Sequence, residues 1–158
     1  MTLTGIGYDV HRVQEGRRLV LGGVELEHHA GLVGHSDADV LTHAVMDALL
    51  GAAGLGDIGE RFPDSDERYR DADSLPLLGN VVTSVIAAGF EVVNVDTTVI
   101  MEAPRLHPYR DRIRANLARA LELPQTRVNL KATTNEQIGF VGRNEGVAAL
   151  AIATIRDR

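Results

Sequence analysis

Apolar and polar positions change period several times along this 158-residue chain. Thr2 to Val10 alternates loosely, the two-residue period of a strand with one covered face. Arg18 to Leu26 holds two short apolar runs around Gly22-Gly23, a hairpin pattern. Glu27 to Gly34 is polar and glycine-bearing and reads as a mobile loop. From Ala38 to Ala53 the period becomes helical, with Leu41, Val45, Ala48, Leu49 and Ala52 on one side and Ser36 or Asp37 as the cap. Gly54 to Asp73 has no period; loops this long in a compact domain are more often functional or partly disordered than idle. Asp73-Ser74 caps a second helix, which Gly89 ends. Phe90 to Met101 is rich in β-branched residues and reads as a strand. Pro108 opens a third helix running to about Leu121, Arg127 to Thr133 is a strand, and Asn135 to Glu145 is a glycine-punctuated loop. Val147 to Ile155 is apolar on both alternations, as in a strand covered on both faces. This order predicts an α+β fold, an α/β sandwich: one mixed sheet with helices on one face and a further subunit on the other. Nothing in the chain resembles a linker or a repeat, so residues 1–158 are expected to form one domain.

Composition narrows the chemistry. Cysteine is absent, which excludes disulfides, zinc–cysteine sites, iron–sulfur clusters and thiol catalysis, and fits a reducing cytoplasm. The net charge of -6 disfavours unaided attraction to nucleic acid or to an anionic membrane, and 4% aromatics leave little for base stacking. No apolar run is long enough to span a bilayer, and Met1-Thr-Leu-Thr-Gly does not read as a secretory signal. An anionic substrate would therefore need local cations, metals or aimed amides.

Asp9 and His11, two apart on a strand, share one face, and carboxylate oxygen and imidazole nitrogen both suit zinc. Taken alone, an Asp-x-His pair is more often a turn aspartate beside a packed or exposed histidine. A third ligand could be His43, which lies on a helix with Asp39 and Asp47 one turn to either side. Either carboxylate could hold its second nitrogen, or the three could be a solvated stripe. His35-Ser36 precedes that helix, where Ser36 is a cap or meets an anion. Thr133, Thr134 and Glu136 could hold a phosphate and magnesium, or form an ordinary turn. His28 and His29 read as surface residues, and His107 as structural or exposed. No Walker A loop or Gly-x-Ser-x-Gly is present.

Together the segments GIGYDVH (5–11), HSDADVLTHAVMDALLGAAGLGDIG (35–59), FPDSD (62–66), EAPRLHPY (102–109) and KATTNEQIGFVGRNEG (131–146) resemble the 2-C-methyl-D-erythritol 2,4-cyclodiphosphate synthase family over nearly the whole chain. The resemblance implies a homotrimeric lyase of non-mevalonate isoprenoid biosynthesis, with active sites shared between subunits. It implies cyclisation of 4-diphosphocytidyl-2-C-methyl-D-erythritol 2-phosphate with release of CMP. On that likeness Asp9, His11 and His43 hold a zinc-like ion, and Glu136 helps hold a second divalent ion, magnesium or manganese, between substrate phosphates. His35, Ser36, Thr133 and Thr134 contact phosphate, with His35 and Thr134 supporting the transition state. Asp57, Ile58, Gly59, Phe62, Pro63, Asp64, Ser65 and Asp66 line the methylerythritol end. Met101, Glu102, Ala103, Pro104, Arg105, Leu106 and His107 cradle cytosine. Phe140 and Arg143 stand near a trimer channel that could take an isoprenoid diphosphate. Asn135 replaces a threonine and Arg105 a lysine common in the family, with polarity or charge retained. A diphosphate hydrolase and a trimeric metal- or isoprenoid-binding protein are the alternatives.

Overall fold

A long first strand, β1 (Thr2–Glu15), organises the molecule, which a computed structural model describes over residues 1–158. The hairpin β2 (Leu19–Leu21) and β3 (Val24–Leu26) follows, then β4 (Ala30–Val33) and helix α1 (Val40–Ala53). A short helix α2 (Ile58–Arg61) and a 3-10 turn at Glu67–Tyr69 lead to α3 (Ser74–Ala87). Then come β5 (Phe90–Ile100), α4 (Arg110–Ala120), β6 (Val128–Thr133), the single turn α5 (Gly139–Gly142) and β7 (Gly146–Asp157).

The main sheet has the order β4-β1-β7-β5-β6 and is mixed, as the pattern predicts: β5 and β6 run parallel and the other pairs antiparallel. Helices α1, α3 and α4 enclose the core on one face, where Leu41, Val45, Leu49, Leu78, Val85, Ile113 and Leu117 are fully buried. Gly22 and Gly23 take positive φ, the conformation of a two-residue hairpin turn.

Several expectations change. β1 continues past Val10 to Glu15 because its end pairs with β4, from Arg12↔Val33 to Glu15↔Ala30. The segment read as a mobile loop thus contains a strand, and Ala30, Gly31 and Leu32 are buried. Helix α1 starts at Val40 and is capped by Asp39, not Ser36 or Asp37. The Asp39 carboxylate accepts from Thr42 N, Thr42 Oγ1, Gly22 N and Gly23 N, so it also fastens the hairpin to the helix. Full burial pushes its pKa up, the Asp37 charge adds to the shift, and the N–H donors oppose it. Pro108 lies in a 3-10 turn, His107–Tyr109, ahead of α4. The expected loop 135–145 contains α5. In β7 one face is buried, while Leu150 and Ile152 are 37% and 46% exposed in the single chain.

Candidate metal centre and its cleft

The geometry of the site starts from the two faces of β1. Leu3, Gly5, Gly7, Asp9 and His11 point toward α1, and Ile6, Tyr8 and Val10 point away. A Cβ on Gly7 would stand 1.8 Å from the carbonyl oxygen of Ala44, and one on Gly5 would stand 2.1 Å from that of Ala48. The strand therefore lies directly against the helix backbone. That contact sets Asp9, the next residue on this face, beside His43.

Three ligand-type atoms converge there. Asp9 Oδ2 is 2.9 Å from His11 Nε2 and 3.1 Å from His43 Nδ1, and the two nitrogens are 3.1 Å apart. The other nitrogen of His11 is committed: Nδ1–H donates to the Val33 carbonyl at 2.8 Å, leaving the Nε2 lone pair facing the cluster. His43 Nε2 lies 3.0 Å from Ser74 Oγ and 3.2 Å from Ser36 Oγ. A tetrahedral ion bonded at 2.0–2.1 Å places its ligands about 3.3 Å apart, so this triangle needs only a slight spread to hold zinc with one position open. The donor set of two imidazoles and one carboxylate suits that ion.

The electrostatics agree. Burial alone would raise the Asp9 pKa, but hydrogen bonds and charge from His11 and His43 outweigh it and hold the carboxyl at about 2. Burial pulls His11 down, and the Asp9 carboxylate more than reverses this, leaving its pKa raised. The pocket thus favours positive charge at its centre, whether a proton or a metal supplies it.

This cluster ends a cleft of about 590 Å³. Val33, Gly34, His35, Ser36, Met46, Ile58, Gly59, Phe62, Pro63, Asp64, Tyr69 and Leu77 line the rest of it. His35 Nε2–H donates to the Asp66 carbonyl at 3.1 Å. Asp57 lies outside the lining and caps α2 through Glu60 N. Ser65 and Asp66 are also outside it, with the Asp66 carboxylate accepting from Arg68.

The other expected residues form a separate group. The parallel pairing Ile100↔Thr133 and the bond from Met101 N to the Thr133 carbonyl set the two later segments side by side. Glu102 Oε1 accepts from Asn135 N at 2.9 Å and Gln137 N at 3.3 Å. Asn135 Nδ2 donates to the Ile138 carbonyl and closes the turn, and Glu136 N donates to Thr134 Oγ1. Thr133, Thr134, Asn135 and Glu136 are all exposed, as are Ala103, Arg105 and His107. Pro104 follows a cis peptide bond. Met101 and Leu106 are buried, 6% and 5% exposed, so their side chains belong to the core. None of these residues lines the metal cleft of the same chain. Phe140 sits at the outer face of β1 beside Tyr8 and Val10, and Arg143 pairs with Glu145 at 3.0 Å.

Two further expectations are corrected. The Asp39-His43-Asp47 stripe is not solvated: Asp39 is 0% and His43 9% exposed. Neither carboxylate holds the second imidazole nitrogen, since Asp39 caps and Asp47 accepts from Ile58 N. Sequence reasoning missed Ser74 at this nitrogen, because the Asp73-Ser74 pair carries an ordinary capping pattern. In the structure Asp73 makes no side-chain capping bond.

Residues 2–156 match the YgbB family. The chain is 60% identical over 152 residues to the 2-C-methyl-D-erythritol 2,4-cyclodiphosphate synthase of Salinibacter ruber, covering 96% of this chain and 97% of that one. Among solved structures it is similar to the bifunctional IspDF from Campylobacter jejuni, with TM-score 0.96 and 44% identity. The match covers 100% of this chain and spans 43% of that longer protein. It is also similar to a 2C-methyl-D-erythritol-2,4-cyclodiphosphate synthase in a form bound to CDP, with TM-score 0.89, 37% identity, and coverage of 97% and 99%.

Proposed function

The chain belongs to the YgbB family, and from that premise we propose that it is a 2-C-methyl-D-erythritol 2,4-cyclodiphosphate synthase acting as a phosphorus–oxygen lyase. In this reading residues 1–158 form a single catalytic domain. A 2-phosphate oxygen of 4-diphosphocytidyl-2-C-methyl-D-erythritol 2-phosphate forms a bond to the phosphorus farther from cytidine. The bond from that phosphorus to CMP breaks, and CMP leaves with the electron pair. The product is a cyclic diphosphate of isoprenoid biosynthesis. The observation that carries the reading is the convergence of Asp9, His11 and His43 at one end of a cleft that also holds His35 and Ser36.

The nucleophile is already anionic and tethered, so no activated serine or cysteine is needed. The chain's task is to bend two anionic groups together and hold them in line. Asp9, His11 and His43 would hold zinc, and Glu136 would help hold magnesium or manganese. Such ions, when bound, neutralise repulsion between phosphate groups. Ser36 and His35 stand where they can orient phosphate oxygens, with Thr133 and Thr134 doing so from the second group. Ile58, Gly59, Phe62, Pro63 and Asp64 wall off the sugar-like end, with Asp57, Ser65 and Asp66 shaping the same segment. The loop from Met101 to His107, Arg105 included, would read cytosine through its backbone amides and carbonyls.

No residue of the second group lines the metal cleft, and Met101, Glu102 and Ala103 line a separate one, which supports sites completed by a neighbouring copy in a homotrimer. The exposed apolar outer face of β1 and β7 supports the same assembly. Phe140 and Arg143 would then stand near its axis, where an isoprenoid diphosphate could be held. The cytoplasm is the proposed location, which the cysteine-free composition fits. The test is incubation with the substrate, Zn²⁺ and Mg²⁺, followed by phosphorus NMR. CMP and a cyclic diphosphate in equal amounts are expected; linear phosphates would make the protein a hydrolase, and unchanged substrate would make it a binding protein.

A further inference from the structure

We infer that Asp37 and Ser74 are positioning residues that fix which nitrogen of His43 is free to bind metal. The inference rests on the Asp9/His11/His43 reading of the metal centre. For His11 the choice is made by a carbonyl, which can only accept. For His43 it is made by a hydroxyl, and a hydroxyl can give or take a hydrogen bond. Contact with Ser74 alone would therefore settle nothing.

Asp37 settles it. Ser74 Oγ donates to Asp37 Oδ1 at 2.5 Å, and the same carboxylate accepts from Ser74 N at 2.8 Å and Asp39 N at 3.1 Å. With its one hydrogen directed to Asp37, Ser74 Oγ can present only lone pairs to His43, 3.0 Å away. His43 Nε2 must then carry a hydrogen, and the Nδ1 lone pair faces Asp9 and His11. Ser74 is 0% exposed, so bulk water does not offer an alternative partner. Ser36 Oγ, the second oxygen near Nε2, is likewise an acceptor for that hydrogen. Its own hydrogen is left for the cleft, where an anionic oxygen can use it. The relay also crosses elements: Asp37 precedes α1 and Ser74 opens α3, so the irregular segment between these helices is pinned at the metal ligand.

The experiment uses the full chain and Zn²⁺ alone, with affinity read by chelator competition. Nitrogen NMR of the His43 ring is recorded before and after zinc. Ser74→Ala should weaken zinc binding about 10–100-fold, the usual effect of losing the outer partner of a metal-bound histidine. Asp37→Asn, which touches no ligand, should weaken it as well. The double variant should be no worse than the poorer single one, because both act through one hydrogen. In the wild-type protein Nε2 should carry a proton with and without zinc. An Nε2 without its proton, zinc binding by Ser74→Ala within threefold of wild type, or losses that multiply in the double variant would overturn the inference. Failure of the wild type to bind zinc would overturn the metal reading instead. The proton on Nε2 is read in the wild type, so this assignment is judged even if a variant does not fold.

Discussion

Asp9 and His11 make the centre sensitive to pH, and the direction follows from their shifts. His11 has its pKa raised above 6.5 in the fold, so its proton adds stability below 6.5. That contribution is lost as pH rises through the raised value. Asp9, held at about 2 against an ordinary 3.8, adds stability above 3.8 and loses it as pH falls toward 2. Zinc needs the lone pair that the His11 proton occupies. Zinc affinity should therefore fall about tenfold per pH unit below the raised His11 value, while the metal-free protein is relatively favoured there. Chelator competition across pH 5–8 checks this (roughly the window in which histidine titrates); a flat profile would mean that no proton is displaced. His43→Ala should abolish zinc binding and turnover together while the assembled mass is unchanged, read by metal analysis and light scattering. Retained metal would remove His43 from the ligand set. Asp-x-His on one strand face and a helical histidine made the three ligand candidates visible in sequence, and the family resemblance is what joined them into one set. The partner of His43 was not. Ser74 lies 31 residues away, and only the packing of α3 against α1 brings it there.

At the scale of elements, the site depends on how closely β1 approaches α1. Gly7→Ala would drive a methyl into the Ala44 carbonyl, and neither backbone can yield without moving Asp9 from His43. We expect a loss of about 1–3 kcal/mol or more in stability, with zinc binding weakened beyond what the stability loss explains. Thermal melts with and without zinc separate the two effects. The second group, built on the parallel β5–β6 pair, should prefer CMP over UMP. Uracil would set an acceptor where cytosine donates to a backbone carbonyl of the loop, and leaving that carbonyl unpaired once the base covers it costs about 1–3 kcal/mol. Competition binding tests this, and equal affinities would mean the Met101–His107 loop does not read the base. The long strands and the three main helices were legible from period, β-branched runs and helix-end residues such as Asp73, Gly89 and Pro108. β4 and α5 were not: each is four residues long and contains a glycine, so neither shows a period. β4 exists because β1 offers it a free edge, and that lies in tertiary structure.

At the scale of the whole molecule, the outer face of the sheet presents exposed apolar residues that call for a partner. Ile6, Tyr8 and Val10 of β1 stand beside Ile152, Leu150 and Ala148 of β7, and the first five are exposed apolar residues. Carboxylate on that face should not survive burial, since an unpaired buried charge costs several kcal/mol. Tyr8→Asp is expected to yield monomers that fold and bind zinc but do not turn over. Sedimentation and activity are the measurements. A monomer with full activity would show that each site is complete within one chain. Doubly apolar β7 was the sequence's hint of this face, and the single chain leaves Leu150 and Ile152 open in keeping with it.

In the proposed trimer, the alternation of β1 would tie chemistry to assembly more tightly than either needs alone. Odd positions press glycine against α1 and then present Asp9 and His11; even positions present Ile6, Tyr8 and Val10 outward. The strand is two interleaved messages written on one ribbon. Exchange of one apolar residue for another at the even positions leaves the odd ones undisturbed. Insertion or deletion of a single residue within Gly5–His11 would exchange them, sending the ligands outward and the apolar residues into the helix. The stretch should therefore tolerate varied apolar letters at its even places and no change of length at all.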